Sequence, residues 1–305
     1  MAETGVVIDC VAIIVHYGDQ APTIALANEL NTFGLQAVVV ANDQSSRPDD
    51  LTRNADWIVS PTNLGYAGAF NFAVASAPQH DLYWLLNNDI RLNADCIARC
   101  VEYMKSNTSV GICAPALVND HGLQHGPGLL SDRLSLPGSG PRPKDPVDCV
   151  WVTGAVMLVR GLVARTIPMY RGYFLGCEDV DYCLDTRARG FTISYLGNVE
   201  AWHEGGRSIG SWWYYYTARN RIWFARRHYG VGLALLVAAG RLLLTPRVFA
   251  ADVLKARGFK RSAFWFKGTI HGLRRPPASE APPWNGEPVP LRRALAQAEN
   301  TGHGL

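Results

Sequence analysis

Residues 6–15 read VVIDCVAIIV, a near-continuous apolar run. A strand with one wet face alternates apolar and polar residues, so a run without alternation suits a strand covered on both faces. Working outward, a helical pattern spans Pro22 to about Phe33, and LQAVVVA (35–41) follows as a second strand. ADWIVS (55–60) reads as a third strand, GYAGAFNFAVASA (65–77) as a helix of small residues, and DLYWLL (81–86) as a fourth strand. A helix at 93–106 leads to VGICAP (110–115), and CVWVTGAVMLV (149–159) and FTISYLG (191–197) resume strand character. This alternation predicts an α/β fold with a mostly parallel central sheet flanked by helices and joined by right-handed crossovers. Residues 119–147, rich in Gly, Pro and Asp, carry no periodicity and read as a functional or mobile loop.

The totals narrow the class. The 305 residues are 48% hydrophobic and include nine Trp and twelve Tyr, enough for a sizeable core. The opening MAETGVVIDC has no basic segment before its apolar stretch, so a cytoplasmic chain without a signal peptide is expected. Seven cysteines without a Cys-x-x-Cys pair read as buried thiols in a reducing compartment, against a disulfide framework or a cysteine zinc site. The net charge of +3 hides an asymmetry. Residues 1–204 hold 13 Lys/Arg against 22 Asp/Glu, and residues 205–305 hold 16 against 4. A basic C-terminal third implies an acidic partner such as nucleic acid, a phosphorylated ligand or an anionic membrane.

In open parallel sheets ligands bind beyond the carboxyl ends of the strands. Polar clusters fall at four such ends: Asn42–Asp43, Asn63 to Gly68, Asn87-Asn88-Asp89, and His203. Asp89 ends an apolar strand and is a hard oxygen ligand suited to Mg²⁺ or Mn²⁺ on a diphosphate. The same tripeptide also makes an ordinary turn and cap. His203 with nearby carboxylates suits Mn²⁺, although a lone histidine is more often packing or surface. Gly65 and Gly68 stand at a strand-to-helix junction whose N–H groups can meet a nucleotide. No Gly-x-Gly-x-x-Gly fingerprint or Walker loop is present, which argues against a dinucleotide oxidoreductase.

GCEDVDYCLDTRARGF (176–191) crowds four carboxylates into eight positions. Acids in a first helical turn favour the helix dipole, which accounts for Glu178 and Asp179 in part. At 100° per residue Glu178, Asp181 and Asp185 share a face, with Arg189 placed to pair with Asp185. Asp179 points elsewhere and lacks an obvious structural partner.

VAIIVHYGD, NLGYAGAFN, LLNND, WVTGAVMLVRG, EDVDYCLDTRARGF, WH and ARNRIWFARR occur in the order seen in family-2 inverting glycosyltransferases of the GT-A fold. Over residues 7 to 230 the chain most resembles the rhamnosyltransferase-like branch that builds bacterial surface polysaccharide. The resemblance implies Asp89 as a ligand of Mn²⁺ or Mg²⁺ on the donor diphosphate, with Asn87 replacing the first acid of Asp-x-Asp and His203 completing the site. It implies Asp179 as general base, and Glu178, Asp181 and Trp151 as structural or acceptor-side groups. His16, Tyr17, Asn63, Gly65, Gly68 and Asn88 line the donor site, and Arg219 assists the departing diphosphate. The family's Val-Asp-Asn-Gly-Ser is here VVANDQSS, so Ala41 stands at the acid position and Asn42 or Asp43 takes over the base contact.

These expectations divide the chain into a catalytic domain (1–210), a basic aromatic helical extension (211–273) and a proline-rich, poorly ordered tail (274–305). VGLALLVAAGRLLL (231–244), with Arg241 inside, is too short for the roughly 20 residues of a membrane span. Basic and aromatic residues around an apolar run suit helices lying in an anionic membrane interface. Nucleic acid is the disfavoured rival, because bases give an apolar run no partner. The expected function is transfer of rhamnose from dTDP-rhamnose to a glycan or polyprenyl-diphosphate-linked acceptor, by a peripheral protein at the cytoplasmic face of the inner membrane. UDP-hexose or galactofuranose donors, a non-catalytic glycan-binding protein and a homodimer stay open. A nucleotidyltransferase is disfavoured because VAIIVHYGDQAP holds no Lys or Arg for a triphosphate.

Overall fold

The computed structural model describes residues 9–130, 137–205, 211–254 and 259–276. The apolar run becomes β1 (Cys10–His16), and α1 (Gln20–Thr32), β2 (Gln36–Ala41), β3 (Ala55–Val59), α2 (Gly65–Ser76) and β4 (Leu82–Asn87) follow. After them come β5 (Ile90–Arg91), α3 (Ala94–Ser106), β6 (Val110–Asn119), β7 (Gly122–His125), β8 (Gly128–Leu130), β9 (Pro137–Ser139), β10 (Pro146–Asp148) and β11 (Val156–Arg160). The chain continues through α4 (Gly161–Thr166), α5 (Glu178–Arg187), β12 (Thr192–His203), α6 (Ser211–Tyr229), α7 (Val231–Leu254) and α8 (Lys260–Gly272). The main sheet runs β10-β12-β6-β11-β4-β1-β2-β3. β1, β2, β3 and β4 pair in parallel, as do β6 and β12. Residues Val11 to Ile14 are fully buried, with one apolar layer against each face of the sheet.

Three elements differ from the sequence expectation. β11 runs antiparallel to both β4 and β6, so the largely parallel sheet is mixed at its centre. The stretch 149–159 is not one strand, because a turn at Gly154–Ala155 delays β11 until Val156. Residues 119–147 are not a bare loop: among the described ones β7 pairs with β6, β8 with β9, and β10 with β12.

The extension is three helices, α6 to α8. α7 runs 24 residues, through Pro246, beyond the 14 expected. By length and composition it is apolar enough to cross a membrane. Ile222 and Ala225 of α6 pack on Ala234, Val237 and Ala238 of α7. The buried Asp252 of α7 pairs with Arg261 of α8 at 2.7 Å. The tail from 277 lies outside the described residues.

Candidate active site

The carboxyl ends of β4 and β12 meet through β5. His203 pairs in register with Ile90 and Trp202 with Arg91, which brings the end of β12 alongside Asp89. The Nε2 of His203 then stands 3.1 Å from Asp89 Oδ1. Gln124, from β7, closes the other side: its Nε2 donates to the His203 carbonyl at 2.8 Å. That contact leaves Gln124 Oε1 as the acceptor facing His203 Nδ1 at 2.6 Å. Nδ1 therefore donates to this amide oxygen, and Nε2 is left facing the carboxylate. Two electron-rich atoms so close require a proton or a cation between them. A histidine whose other nitrogen is fixed by a hydrogen bond is the usual form of a metal ligand.

Asp89 and His203 thus fit a divalent cation. Among the described residues no group of three or more His, Cys, Asp or Glu surrounds this point, so phosphate oxygens and water would complete the coordination. Burial alone would raise the Asp89 pKa. The His203 hydrogen bond and backbone N–H groups of Asp89 and Gly205 outweigh it and hold the carboxylate below its ordinary range. A cleft of about 330 Å³ reaches Asp89 from the α1 side, between Asp19, Pro22, Glu29, Arg91, Trp202 and Glu204.

Asp179 lies in the first turn of α5. Its Oδ2 accepts the Gly154 N–H at 3.0 Å and its Oδ1 the Val180 N–H at 2.8 Å. A Cβ on residue 154 would lie 3.1 Å from Asp179 Cβ, a tight contact, so glycine eases this approach in the turn that interrupts 149–159. Burial raises the Asp179 pKa against those two N–H groups and His125. Glu178 is 5% exposed with Oε2 unpartnered, and burial, then Asp179, push it up to about 8. Tyr66 donates its hydroxyl to Gly154 O at 2.6 Å and lies within electrostatic reach of Glu178, Asp179 and Asp89. His125, whose pKa burial lowers, is in reach of Asp179 and His203. Tyr66 and His125 are thus each within electrostatic reach of both carboxylate centres.

Other residues singled out by sequence hold this edge together. Asp181 is fully buried and accepts Tyr173 Oη, Arg227 Nε and His228 Nε2 on one oxygen. Asp185 pairs with Arg227 rather than with Arg189, whose guanidinium donates to the Asp185 carbonyl. Arg219 does not face Asp89: it donates to Tyr173 O and Asn220 Oδ1 and stacks on Tyr215, Tyr216 and Trp223. Asn220, unnoticed in the sequence, donates to the carbonyls of Tyr173, Leu175 and Gly176. That clamp steadies a loop with positive φ at Phe174 and Cys177, costly for non-glycine residues, immediately before α5.

At the ends of β1 and β2, Asn42 is buried and fully engaged. It donates to Asn63 Oδ1 and Gly65 O and accepts from Leu64 N. Asn42 and Asn63 therefore brace the junction into α2, and the buried Asn42 offers a ligand little. Gly65, at φ +68, gives its N–H to Asn63 Oδ1 and lets Phe174 O approach Tyr66 N at 2.9 Å. Leu64 crowds the Cβ position of Gly68. Asp43 accepts from Gly18 N and Ser45 and sits 3.5 Å from His16 Nε2, while Tyr17 is exposed. His16 and Asn88 both bond Thr23 Oγ1, tying α1 to β1 and β4. Trp151 is core, with its indole N–H on Leu129 O.

The fold is shared with solved enzymes. The fold is that of the GT-A glycosyltransferases. GalNAc-T7, crystallised with UDP, GalNAc and Mn²⁺, superposes with a TM-score of 0.56 at 11% identity over 73% of this chain. The match spans about half of that protein, 48% of its length. The mannosyltransferase PcManGT from Pyrobaculum calidifontis, in complex with GDP-Man and Mn²⁺, gives 0.52 at 13% identity over 87% of both chains. No protein-family profile and no curated protein sequence matches the chain.

Proposed function

We propose that this chain transfers a sugar, with inversion, from a nucleotide donor to a glycan acceptor. One observation carries the reading. Asp179, a half-buried carboxylate with a raised pKa, and the Asp89–His203 pair lie within electrostatic reach of the same two side chains, Tyr66 and His125. Asp179 accepts the proton of an acceptor hydroxyl as its oxygen attacks the anomeric carbon opposite the leaving nucleotide. The Gly154 and Val180 N–H groups orient that carboxylate and stabilise its charged form. Asp89 and His203 hold a divalent cation, which when bound neutralises charge on the donor diphosphate. The solved enzymes of this fold named above carry UDP and GDP-Man with Mn²⁺, so metal use is supported while the fold leaves the base open.

The motif order in residues 7 to 230 favours the rhamnosyltransferase-like branch of family 2, with dTDP-rhamnose as donor and bacterial surface polysaccharide as product. The extension sets the acceptor side. Leu235, Leu236, Leu243, Phe249, Val253 and Leu254 of α7 are exposed, as are Phe266 and Ile270 of α8. Lys260, Lys267, Arg274 and Arg275 stand beside them. Arg241, mid-helix, is buried against the protein, which favours α7 lying in an anionic membrane surface over crossing it. A lipid-linked glycan at the cytoplasmic face is the acceptor this geometry favours.

The test is a panel of UDP-, dTDP- and GDP-sugars with and without Mn²⁺, read by thermal shift and nucleotide release. Metal-dependent response to one nucleotide family, lost in Asp89→Ala, supports the reading. Silence from every donor overturns it.

A further inference from the structure

Arg241 is 7% exposed in the middle of a mostly apolar helix. A buried guanidinium is costly unless its donors find acceptors. The same helices obey that rule elsewhere: Asp252 pairs with Arg261, and Asp181 with Arg227. Arg241 Nε and Nη1 have no acceptor among the described residues. Its plane lies over Trp265, 4.6 Å from the ring centroid. The charged neighbours that reach it are a second cation, Arg221, and the Cys177 thiol, with no carboxylate among them. Burial, then Arg221, lower its pKa to about 10, which leaves it charged at neutral pH.

Position gives this cation a use. α6 and α7 are joined by Gly230 alone and pack through Ile222, Ala225, Val237 and Ala238. Arg241, itself buried, follows Ala238 by about one turn and lies within electrostatic reach of Arg221 on α6. Both arginines act on Cys177, the residue immediately before Glu178 and Asp179. We propose that Arg241 and Arg221 form a binding subsite for a phosphoryl group carried by the acceptor, where the helical extension meets α5. An anion there supplies the acceptors that Nε and Nη1 lack and relieves the repulsion between two guanidinium groups. The subsite is separate from Asp89 and His203, which face the donor. The exposed apolar residues of α7 flank it, which favours a lipid-borne phosphate over a free one. Describing the ligand as the acceptor rests on the proposed function; the binding site itself does not.

The test titrates the full chain, in EDTA and without donor, with inorganic diphosphate and separately with farnesyl diphosphate, by calorimetry. Both ligands are expected to bind, and Arg241→Gln and Arg221→Gln to weaken each by about tenfold. Tighter binding of farnesyl diphosphate assigns the site to a lipid-borne group, and equal binding to the phosphoryl group alone. Absence of binding, or variants that bind like the wild type, overturns the subsite. Arg221 is only partly buried, so its variant tests the site even where Arg241→Gln misfolds, and Arg241→Lys is expected to bind more tightly than Arg241→Gln. With metal and donor absent, the outcome is independent of whether the chain transfers sugar.

Discussion

His203 Nε2 faces Asp89 Oδ1 at 3.1 Å, and Gln124, accepting from Nδ1, fixes the ring in that orientation. A ligand imidazole loses roughly 10- to 100-fold in metal affinity when its orienting partner is removed. Mn²⁺ binding, followed by electron paramagnetic resonance, is therefore expected to be abolished in Asp89→Ala. In Gln124→Leu it is expected to weaken by about that factor while the fold is retained. Wild-type affinity in Gln124→Leu would show that the tautomer is not set by this amide.

Asp179 works as a base only when deprotonated, and burial raises its pKa. Transfer activity is expected to rise with pH along a limb displaced above the ordinary carboxylate range. Asp179→Asn should lose about 10²- to 10⁴-fold in turnover, the usual contribution of a positioned base. Donor binding, measured separately, should persist. A variant that fails equally in donor binding would place Asp179 in the donor site instead.

Glu178 gives an inverted pH dependence of stability. Its folded pKa, about 8, lies above the unfolded value of 4.5. Below 4.5 both states are protonated and no difference arises. Between the two values only the unfolded state releases the proton, so stability falls as pH rises, by roughly 1.4 kcal/mol per unit at most. Glu178→Gln removes this cost. Its melting temperature is expected to exceed that of the wild type at pH 8 and to approach it at pH 4, which thermal melts across that range measure.

Much of this was legible in the sequence because burial on both faces leaves a local signal. VVIDCVAIIV, LQAVVVA and DLYWLL marked β1, β2 and β4, and the end of the last of these marked where Asp89 would stand. Gln124 and His125 were missed because β7 is a short, exposed edge strand whose pattern resembles a loop. Gly154 broke an apparently continuous strand for a reason visible only in three dimensions, the approach of Asp179. Asn42 and Arg219 looked like ligand residues, but a polar side chain announces its chemistry and not its partner. Both turn their groups inward to hold backbone.

Asp181 fastens α5 to α6 and is the stability centre of the site. Removing one member of a buried ion pair costs about 3–5 kcal/mol, because the remaining charge is left uncompensated. Arg227 retains Asp185, so Asp181→Ala should fall near the lower end, at about 3 kcal/mol. Urea unfolding of the variant measures it. A loss below about 1 kcal/mol would mean that α6 is held to α5 mainly by its apolar contacts.

The exposed face of α7 sets the last expectation. Leu236 and Leu243, seven residues apart, share one face and are 56% and 79% exposed. A fully buried leucine contributes roughly 1.5–3 kcal/mol, and each basic residue near an anionic surface about 1 kcal/mol. Leu236→Glu combined with Leu243→Glu removes apolar contact and adds repulsion, so vesicle binding should fall by more than about tenfold. Exposed substitutions of this kind leave stability within about 0.5 kcal/mol, so the variant should melt like the wild type. Co-sedimentation with phosphatidylglycerol vesicles, against zwitterionic ones, reads the effect. Equal binding by variant and wild type would remove α7 from the interface. Wild-type protein that ignores the vesicles but elutes as a dimer would give the face to a second copy of the chain.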